Sequence, residues 1–154
     1  MRQVLNLVGT KWNINSYHPN LGVGGYCIAP ASKYVLGGVK FPEIVSVLRE
    51  SVDFTASMPS RYAKIFSAFD NVLIMGLAYK GNLKVHILSP GGGVAKALLE
   101  TQSKVYVDDP MYSDEEITNI LSDSVIPVDY RETLGDMDLV VLACLLYTSD
   151  AADD

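Results

Sequence analysis

Cysteine, basic charge and long apolar runs are all scarce in this sequence of 154 residues. Its two cysteines, Cys27 and Cys144, are too few for a disulfide framework. Twelve Lys and Arg residues against eighteen Asp and Glu residues give a formal net charge of -6, and no basic cluster is present that could follow a phosphate backbone. The apolar runs have the length of strands, and the N-terminus has no signal-peptide pattern. These absences predict a cytoplasmic globular protein with no nucleic-acid or membrane partner.

The last residues, from Cys144 to Asp154, read CLLYTSDAADD and resemble the conceptual translation of a sequencing-library adapter. We expect residues 144–154 to be such an artefact, with a natural acidic C-terminus as the alternative. Three of the acidic residues lie in this tail, so the net negative charge has little meaning.

From residue 71 onwards, strand and helix patterns alternate. The run VLIM at 72–75 is short, continuous and followed by glycine, which is typical of a strand buried on both faces. Ser89 and Pro90 indicate a helix start, KVYV at 104–107 a second strand, and Ser113 before three acidic residues a second helix start. Two further strands are predicted in SVIPVD and DLVVLA, with no helix predicted between them. The pattern predicts an α/β fold with a Rossmann-like parallel sheet, truncated at its end and joined by right-handed crossovers.

The segment FPEIVSVLRESVDFTASMPSRYAKIF, which precedes the sheet, has apolar residues at helical spacing. Met58 and Pro59 fall within it, and because proline breaks helices we predict a connector of two helices. The expected organisation is therefore a cysteine loop and helical connector over residues 1–66, an incomplete Rossmann-like domain over 67–143, and the tail.

A glycine-rich run stands directly before Cys27 in the stretch NLGVGGYCIAP. A thiol acts as a nucleophile in its thiolate form, which nearby backbone N–H groups favour. Gly22, Gly24 and Gly25 allow the main chain to adopt positive φ and to form such an anion site. The alternative is a tight turn in front of a small buried cysteine.

Several stretches resemble the UDP-glucose/GDP-mannose dehydrogenase family. NLGVGGYCIAP is similar to the family's active-site form Gly-x-Gly-Gly-(His or Tyr)-Cys-hydrophobic-Pro. MGLAYK, followed by SP, a helix and VYVDDP, resembles the opening of its C-terminal nucleotide-sugar-binding domain, and SMP at 57–59 fits the end of its central helix. These matches follow the family's order from about residue 12 to about residue 143, which is more specific than a single glycine motif.

The resemblance implies an NAD-dependent enzyme that oxidises the C6 alcohol of a UDP- or GDP-sugar to a carboxylate in two hydride transfers. Cys27 would hold the intermediate aldehyde as a thiohemiacetal and then as a thioester that water hydrolyses. It further implies that the following residues bind the substrate: Gly22, Gly24, Gly25, Tyr26, Tyr79 and Lys80.

The family's dinucleotide fingerprint, Gly-x-Gly-x-x-Gly, is absent from the sequence. We therefore expect a fragment of a homodimeric enzyme whose NAD is bound mainly by an N-terminal domain outside this chain. Such a fragment would not transfer hydride by itself.

Two departures from the family pattern leave alternatives open. Ala31 stands where the family has an Asp, and Ile87 where it has an Arg. A binding module that holds a nucleotide sugar without oxidising it is therefore the second hypothesis. A weaker third hypothesis is a cysteine hydrolase that pairs Cys27 with His18 or His86, although we expect His86 to be a surface or packing residue.

Overall fold

The computed structural model describes residues 2–14, 21–38 and 40–144. The helices are α1 (Arg2–Gly9), α2 (Ile28–Gly38), α3 (Ser46–Phe66), α4 (Pro90–Leu99), α5 (Asp114–Ile120) and α6 (Tyr130–Thr133). The strands are β1 (Asn71–Met75), β2 (Lys104–Asp108), β3 (Ile126–Pro127) and β4 (Leu139–Leu142). Short 3-10 turns precede α3 and follow α6. Within these ranges, no helix has the length and apolarity needed to cross a bilayer.

The four strands form one parallel sheet in the order β3-β2-β1-β4. The strand β1 is hydrogen-bonded on both sides, and residues 72–75 are buried, as expected for a central parallel strand covered on both faces. Val94, Ala95 and Leu98 of α4 pack into the same core. The predicted α/β fold with a Rossmann-like sheet is confirmed.

The predicted helix starts are confirmed by their caps. The Ser89 hydroxyl accepts a hydrogen bond from the Gly92 N–H, and Pro90 occupies the first turn, where its missing N–H costs nothing. Ser113 and Glu116 form a capping box at α5, since each side chain accepts from the other residue's backbone N–H.

The predicted break at Pro59 is wrong, because α3 is one helix of 21 residues with Pro59 inside it. Proline removes one backbone hydrogen bond, but the helix on both sides of it packs against neighbouring elements. The Pro59 ring lies against α4, where a Cβ added to Gly93 would stand 3.1 Å from its Cγ. Packing of α3 on α4 therefore overrides the local preference for a break.

Two helices were not predicted from the sequence. The helix α2 begins directly after Cys27, and the short α6, followed by a 3-10 turn, connects β3 to β4 where two consecutive strands were expected. The strand β3 is also shorter than the predicted stretch. All three elements are short or lack strong periodicity, which is the signal on which the sequence prediction rests.

The helices before the sheet are stacked, since α2 packs on α3 and α3 packs on α4. The sheet and the helices that follow β1 form what we call the sheet lobe, residues 71–144. Ala63 near the end of α3 is buried in the hydrophobic core of this lobe, with Tyr62 and Phe66 packed against that core. The boundary between residues 66 and 67 stays a prediction. Cys144, the last described residue, is buried against Gly76, while residues 145–154 of the expected artefact lie outside the described residues.

Candidate functional site

The cysteine loop, residues 21–27, leads directly into α2. Cys27 is exposed, and its carbonyl oxygen accepts a hydrogen bond from the Ala31 N–H at 3.2 Å. The thiol-bearing residue therefore stands at the N-terminus of an 11-residue helix. The positive end of a helix dipole stabilises negative charge that develops nearby. Of the two cysteines, the one predicted to be a nucleophile is accessible, and Cys144 is buried.

The glycines of this loop contact the segment that joins β1 to α4, which we call the 79–89 loop. Gly25 has φ +85°, and a Cβ at this position would lie 2.8 Å from Cε2 of Tyr79. A Cβ on Gly24 would lie 2.7 Å from the Leu88 carbonyl oxygen. The Gly25 N–H also donates to the Ile87 carbonyl oxygen at 3.1 Å. Glycine is thus required at both positions by close approach, and at Gly25 also by backbone conformation.

Asp109 fixes the backbone directly before the 79–89 loop. Its Oδ2 accepts hydrogen bonds from the N–H groups of Leu77 (2.7 Å) and Ala78 (2.9 Å), and its Oδ1 accepts from Met111. The carboxylate is 2% exposed, so these are strong, charge-assisted bonds in a dry environment. In the sequence, Asp109 belongs to the motif VYVDDP, and the sequence analysis did not identify this role. Its position, just after a buried strand and before a proline, is the signal that was available.

The 79–89 loop also contacts α5. Nζ of Lys84 lies 2.6 Å from Oε1 and 2.7 Å from Oε2 of Glu116, and 5.1 Å from the centre of the Tyr112 ring. His86 meets the same ring edge-on at 5.9 Å between centroids, so His86 is a packing residue, as expected. The contacts of this loop therefore run from the cysteine loop to α5.

Two pKa shifts reflect this cluster. Hydrogen bonds from Lys84 and then from the Ser113 backbone N–H lower the pKa of the Glu116 carboxyl. Burial, followed by the nearby Asp109 and Glu116 carboxylates, raises the pKa of the Tyr112 hydroxyl. Tyr112 therefore stays neutral and Glu116 stays charged at neutral pH, which preserves the ion pair with Lys84 and the contact of Lys84 with a neutral ring.

A cavity of about 350 Å³ lies beside the cysteine loop, between α2, α3 and the start of α4. Ser32 and Lys33, which follow Ala31 in α2, both line it. So do Gly22, on the side of the loop, and Pro90, on the side of α4. The two polar residues adjacent to Ala31 thus face this cavity, and Cys27 is not among the residues that line it.

The sheet lobe does not fit a dinucleotide in the manner of a Rossmann domain. Such a site has a tight glycine turn between the first strand and the following helix, whose N-terminus holds the pyrophosphate. Here residues 76–89 separate the end of β1 from the start of α4, so that tight turn is absent. Within the described ranges, no cluster of three His, Cys, Asp or Glu side chains could hold a metal ion.

The structure brings together some of the predicted site residues. Gly22, Gly24 and Gly25 lie against Pro90, Leu88 or Tyr79. Tyr26 is 64% exposed, and Lys80 is exposed in a short backbone pairing with Leu83. The candidate site is thus an open surface where the cysteine loop meets the 79–89 loop. His18, from the hydrolase hypothesis, lies outside the described residues.

The chain is similar to nucleotide-sugar dehydrogenases in sequence. It is 26% identical over 127 residues to UDP-N-acetyl-D-mannosamine dehydrogenase of Methanococcus aeolicus, which covers 79% of this chain and 29% of that protein. The enzyme of the same name from Methanococcus maripaludis is 29% identical over 102 residues, covering 63% of this chain and 24% of that protein. No protein-family model matches the sequence.

Solved structures agree with these relatives. A UDP-glucose dehydrogenase from Pyrobaculum islandicum superposes with a TM-score of 0.72 at 28% identity, covering 93% of this chain and 35% of that chain. The UDP-N-acetyl-mannosamine dehydrogenase Cap5O from S. aureus shares the fold, with a TM-score of 0.64 at 22% identity over 92% of this chain and 33% of that chain. The chain thus spans about a third or less of the length of the relatives it matches. In sequence and in fold the chain is therefore similar to nucleotide-sugar dehydrogenases of the UDP-glucose/GDP-mannose type, over a partial region of those enzymes.

Proposed function

We propose that this chain supplies the nucleophile and part of the substrate site of an NAD-dependent enzyme that oxidises the C6 alcohol of a UDP- or GDP-sugar to a carboxylate. The observation that supports the proposal best is the exposed Cys27, placed at the N-terminus of α2 by a glycine loop that packs on Tyr79. The relatives that the chain resembles are named as dehydrogenases, which supports the reaction class.

The cysteine explains how a primary alcohol can be oxidised twice. Loss of a hydride from C6 and a proton from the hydroxyl would give an aldehyde, with NAD held by the parent protein supplying the hydride acceptor for this step and for the second one. The Cys27 sulfur then bonds to C6 while the carbonyl oxygen gains a proton, giving a thiohemiacetal that can lose a second hydride. Water cleaves the resulting thioester, so the substrate and water yield the carboxylate, two reduced cofactors, three protons and the free thiol. The sequence lacks the Gly-x-Gly-x-x-Gly fingerprint, so we expect other residues of the parent protein to bind NAD.

One exposed cation on the 79–89 loop suits the charge of the substrate. Lys80 is an exposed cation on the 79–89 loop and can attract a diphosphate as a point charge. Gly22, Gly24, Gly25, Tyr26 and Tyr79 would line the nucleotide sugar. We place the parent enzyme in the cytoplasm as a homodimer that serves polysaccharide biosynthesis.

Labelling of Cys27 with a thiol reagent tests the proposal on the chain itself. In a Cys144→Ser background, UDP-glucose, UDP-N-acetylmannosamine or GDP-mannose should slow the labelling, and Lys80→Met should weaken this protection. Lys104→Met, which removes an exposed lysine at the far end of β2, should not. Absence of protection by all three nucleotide sugars would contradict the proposed site. NADH formation by the isolated chain would contradict the expectation that it cannot transfer hydride.

A nucleotide-sugar-binding module without oxidation chemistry is the second candidate. It is favoured by Ala31 and Ile87, which stand where the family resemblance implies an Asp and an Arg. The two functions differ in whether the thiol bonds to the substrate. A nucleotide sugar with an isotope-labelled C6 aldehyde should give an NMR signal of a thiohemiacetal with the wild-type chain and none with Cys27→Ser. Binding without that signal would support the module.

A further inference from the structure

The 79–89 loop departs from the family pattern in the residues that attach it to α5. The stretch KVHI at 84–87 stands where the resemblance implies Asp-Asp-x-Arg, so Lys84 replaces an Asp, while His86 falls at the variable position. Both side chains contact Tyr112, and Lys84 also binds Glu116. Lys84 thereby connects the loop to α5 with a charge opposite to the one that the family motif has at this position.

The same loop supports the cysteine loop through its backbone. The Ile87 carbonyl oxygen accepts the Gly25 N–H, and the Tyr79 N–H donates to the Val85 carbonyl oxygen, so the loop is folded back on itself next to the glycines. Lys84 lies directly before Val85 in this fold. A displacement of Lys84 would therefore move the acceptor of the Gly25 hydrogen bond and the Tyr79 ring that contacts Gly25.

We propose that Lys84 is a positioning residue for the candidate site: by binding Glu116 and the Tyr112 ring, it holds the 79–89 loop where Tyr79 and Ile87 receive the cysteine loop. Its role is indirect, since it acts through the loop and not on a substrate. The Glu116 carboxylate also accepts the Ser113 N–H in the capping box, so a second bond orients it toward the start of α5. That this surface binds a substrate rests on the proposed function. The effect of Lys84 on the position of the cysteine loop does not.

Glu116 is less suitable for the test because its side chain also accepts the Ser113 N–H in the capping box of α5, so its substitution would alter two interactions at once. Lys84 is half-exposed and makes no helix cap, so Lys84→Met keeps most of the aliphatic side chain and removes only the charge. Lys84→Arg restores the charge and can bind the carboxylate of Glu116 in a bidentate manner. Lys104→Met, at an exposed lysine on β2, is the matched control.

Hydrogen exchange measured by NMR gives the readout. The Gly25 amide should exchange about two- to fivefold faster in Lys84→Met than in wild type, the range expected for loss of an exposed ion pair. The amides of β1 should keep their wild-type rates, and Lys84→Arg should restore slow exchange at Gly25. An unchanged Gly25 rate in Lys84→Met would overturn the proposal. So would acceleration of the β1 amides by the same factor, because that would show general destabilisation.

Protection of Cys27 then separates this inference from the proposed function. If wild type is protected by a nucleotide sugar, Lys84→Met should require more ligand for half-protection. If wild type shows no protection, the proposed function fails, while the exchange rates at Gly25 still decide whether Lys84 positions the loop.

Discussion

At the candidate site, close contacts between distant parts of the chain decide which residue types are possible at single positions. Gly25 and Tyr79 are far apart in sequence, yet the space of one missing Cβ at Gly25 is taken by the Tyr79 ring. Asp109 likewise controls the backbone of Leu77 and Ala78 from the end of a neighbouring strand. The backbone around Cys27 thus depends on contacts with residues that are far from it in the sequence.

Gly25→Ala should lower the thermal midpoint and change the labelling rate of Cys27. A left-handed conformation costs an alanine about 1–2 kcal/mol, and the new methyl group would also collide with the Tyr79 ring. Gly37→Ala is the control, because nothing lies within 4 Å of an added Cβ there and alanine favours the helix α2. A Gly25→Ala chain that melts like wild type would show that the cysteine loop does not pack on Tyr79.

Sequence reasoning singled out Cys27, which is exposed in the structure, and the glycines before it. Residue types and spacing were sufficient there, since a glycine before a cysteine is a local pattern. The partners of those glycines could not be found in the same way, because Tyr79, Ile87 and Leu88 become neighbours only when the chain folds. The role of Lys84 was also hidden, since a lysine in a loop indicates a solvated charge until its carboxylate partner is known.

At the scale of elements, caps were predictable and packing was not. Ser89 and Ser113 were identified as helix starts because a cap is a local hydrogen bond between residues three apart. The break expected at Pro59 does not occur, because the contact of α3 with Gly93 of α4 is a property of two elements. The helix α2 was missed although Pro30 lies in its first turn, where proline is tolerated.

The capping box of α5 makes a prediction about pH. The pKa of Glu116 lies below its ordinary value of 4.5 in the folded chain, so its contribution to stability is present above that value. The contribution is lost as the pH falls through the lower folded value. Lys84, Tyr112 and Ser113 are the groups that contact or influence this carboxylate.

Glu116→Gln should therefore reduce the difference in unfolding free energy between about pH 7 and about pH 3, because the variant has no carboxylate to protonate. Urea unfolding followed by circular dichroism at the two pH values measures this difference. Glu115→Gln, at the preceding exposed position of α5, should behave almost like wild type. An equal acid loss in wild type and Glu116→Gln would show that the ion pair with Lys84 and the cap do not stabilise the fold.

At the scale of the whole molecule, burial is distributed very unevenly. Among the described residues, the buried hydrophobic core lies almost entirely in residues 72–144, and Ala63 is its sole member from the preceding helices. Apolar side chains before the sheet are instead exposed, including Leu7 of α1 at 70%, Trp12 after α1 at 93% and Val47 of α3 at 82%. Cooperative stability follows buried apolar contacts, so the part before α3 should open at a lower free energy than the sheet lobe.

Limited proteolysis should consequently cut the chain first before α3 and leave a resistant fragment that contains the sheet. Because Tyr62, Ala63 and Phe66 pack into the core of the lobe, we expect this fragment to begin within α3 and not at residue 67. Mass spectrometry of the fragment identifies its first residue and thereby tests the domain boundary inferred from the sequence. A first cut between β1 and β4 would contradict the assignment of the core. A fragment that begins at residue 67 would show that the end of α3 is dispensable, and that its contacts with the sheet lobe add little to stability.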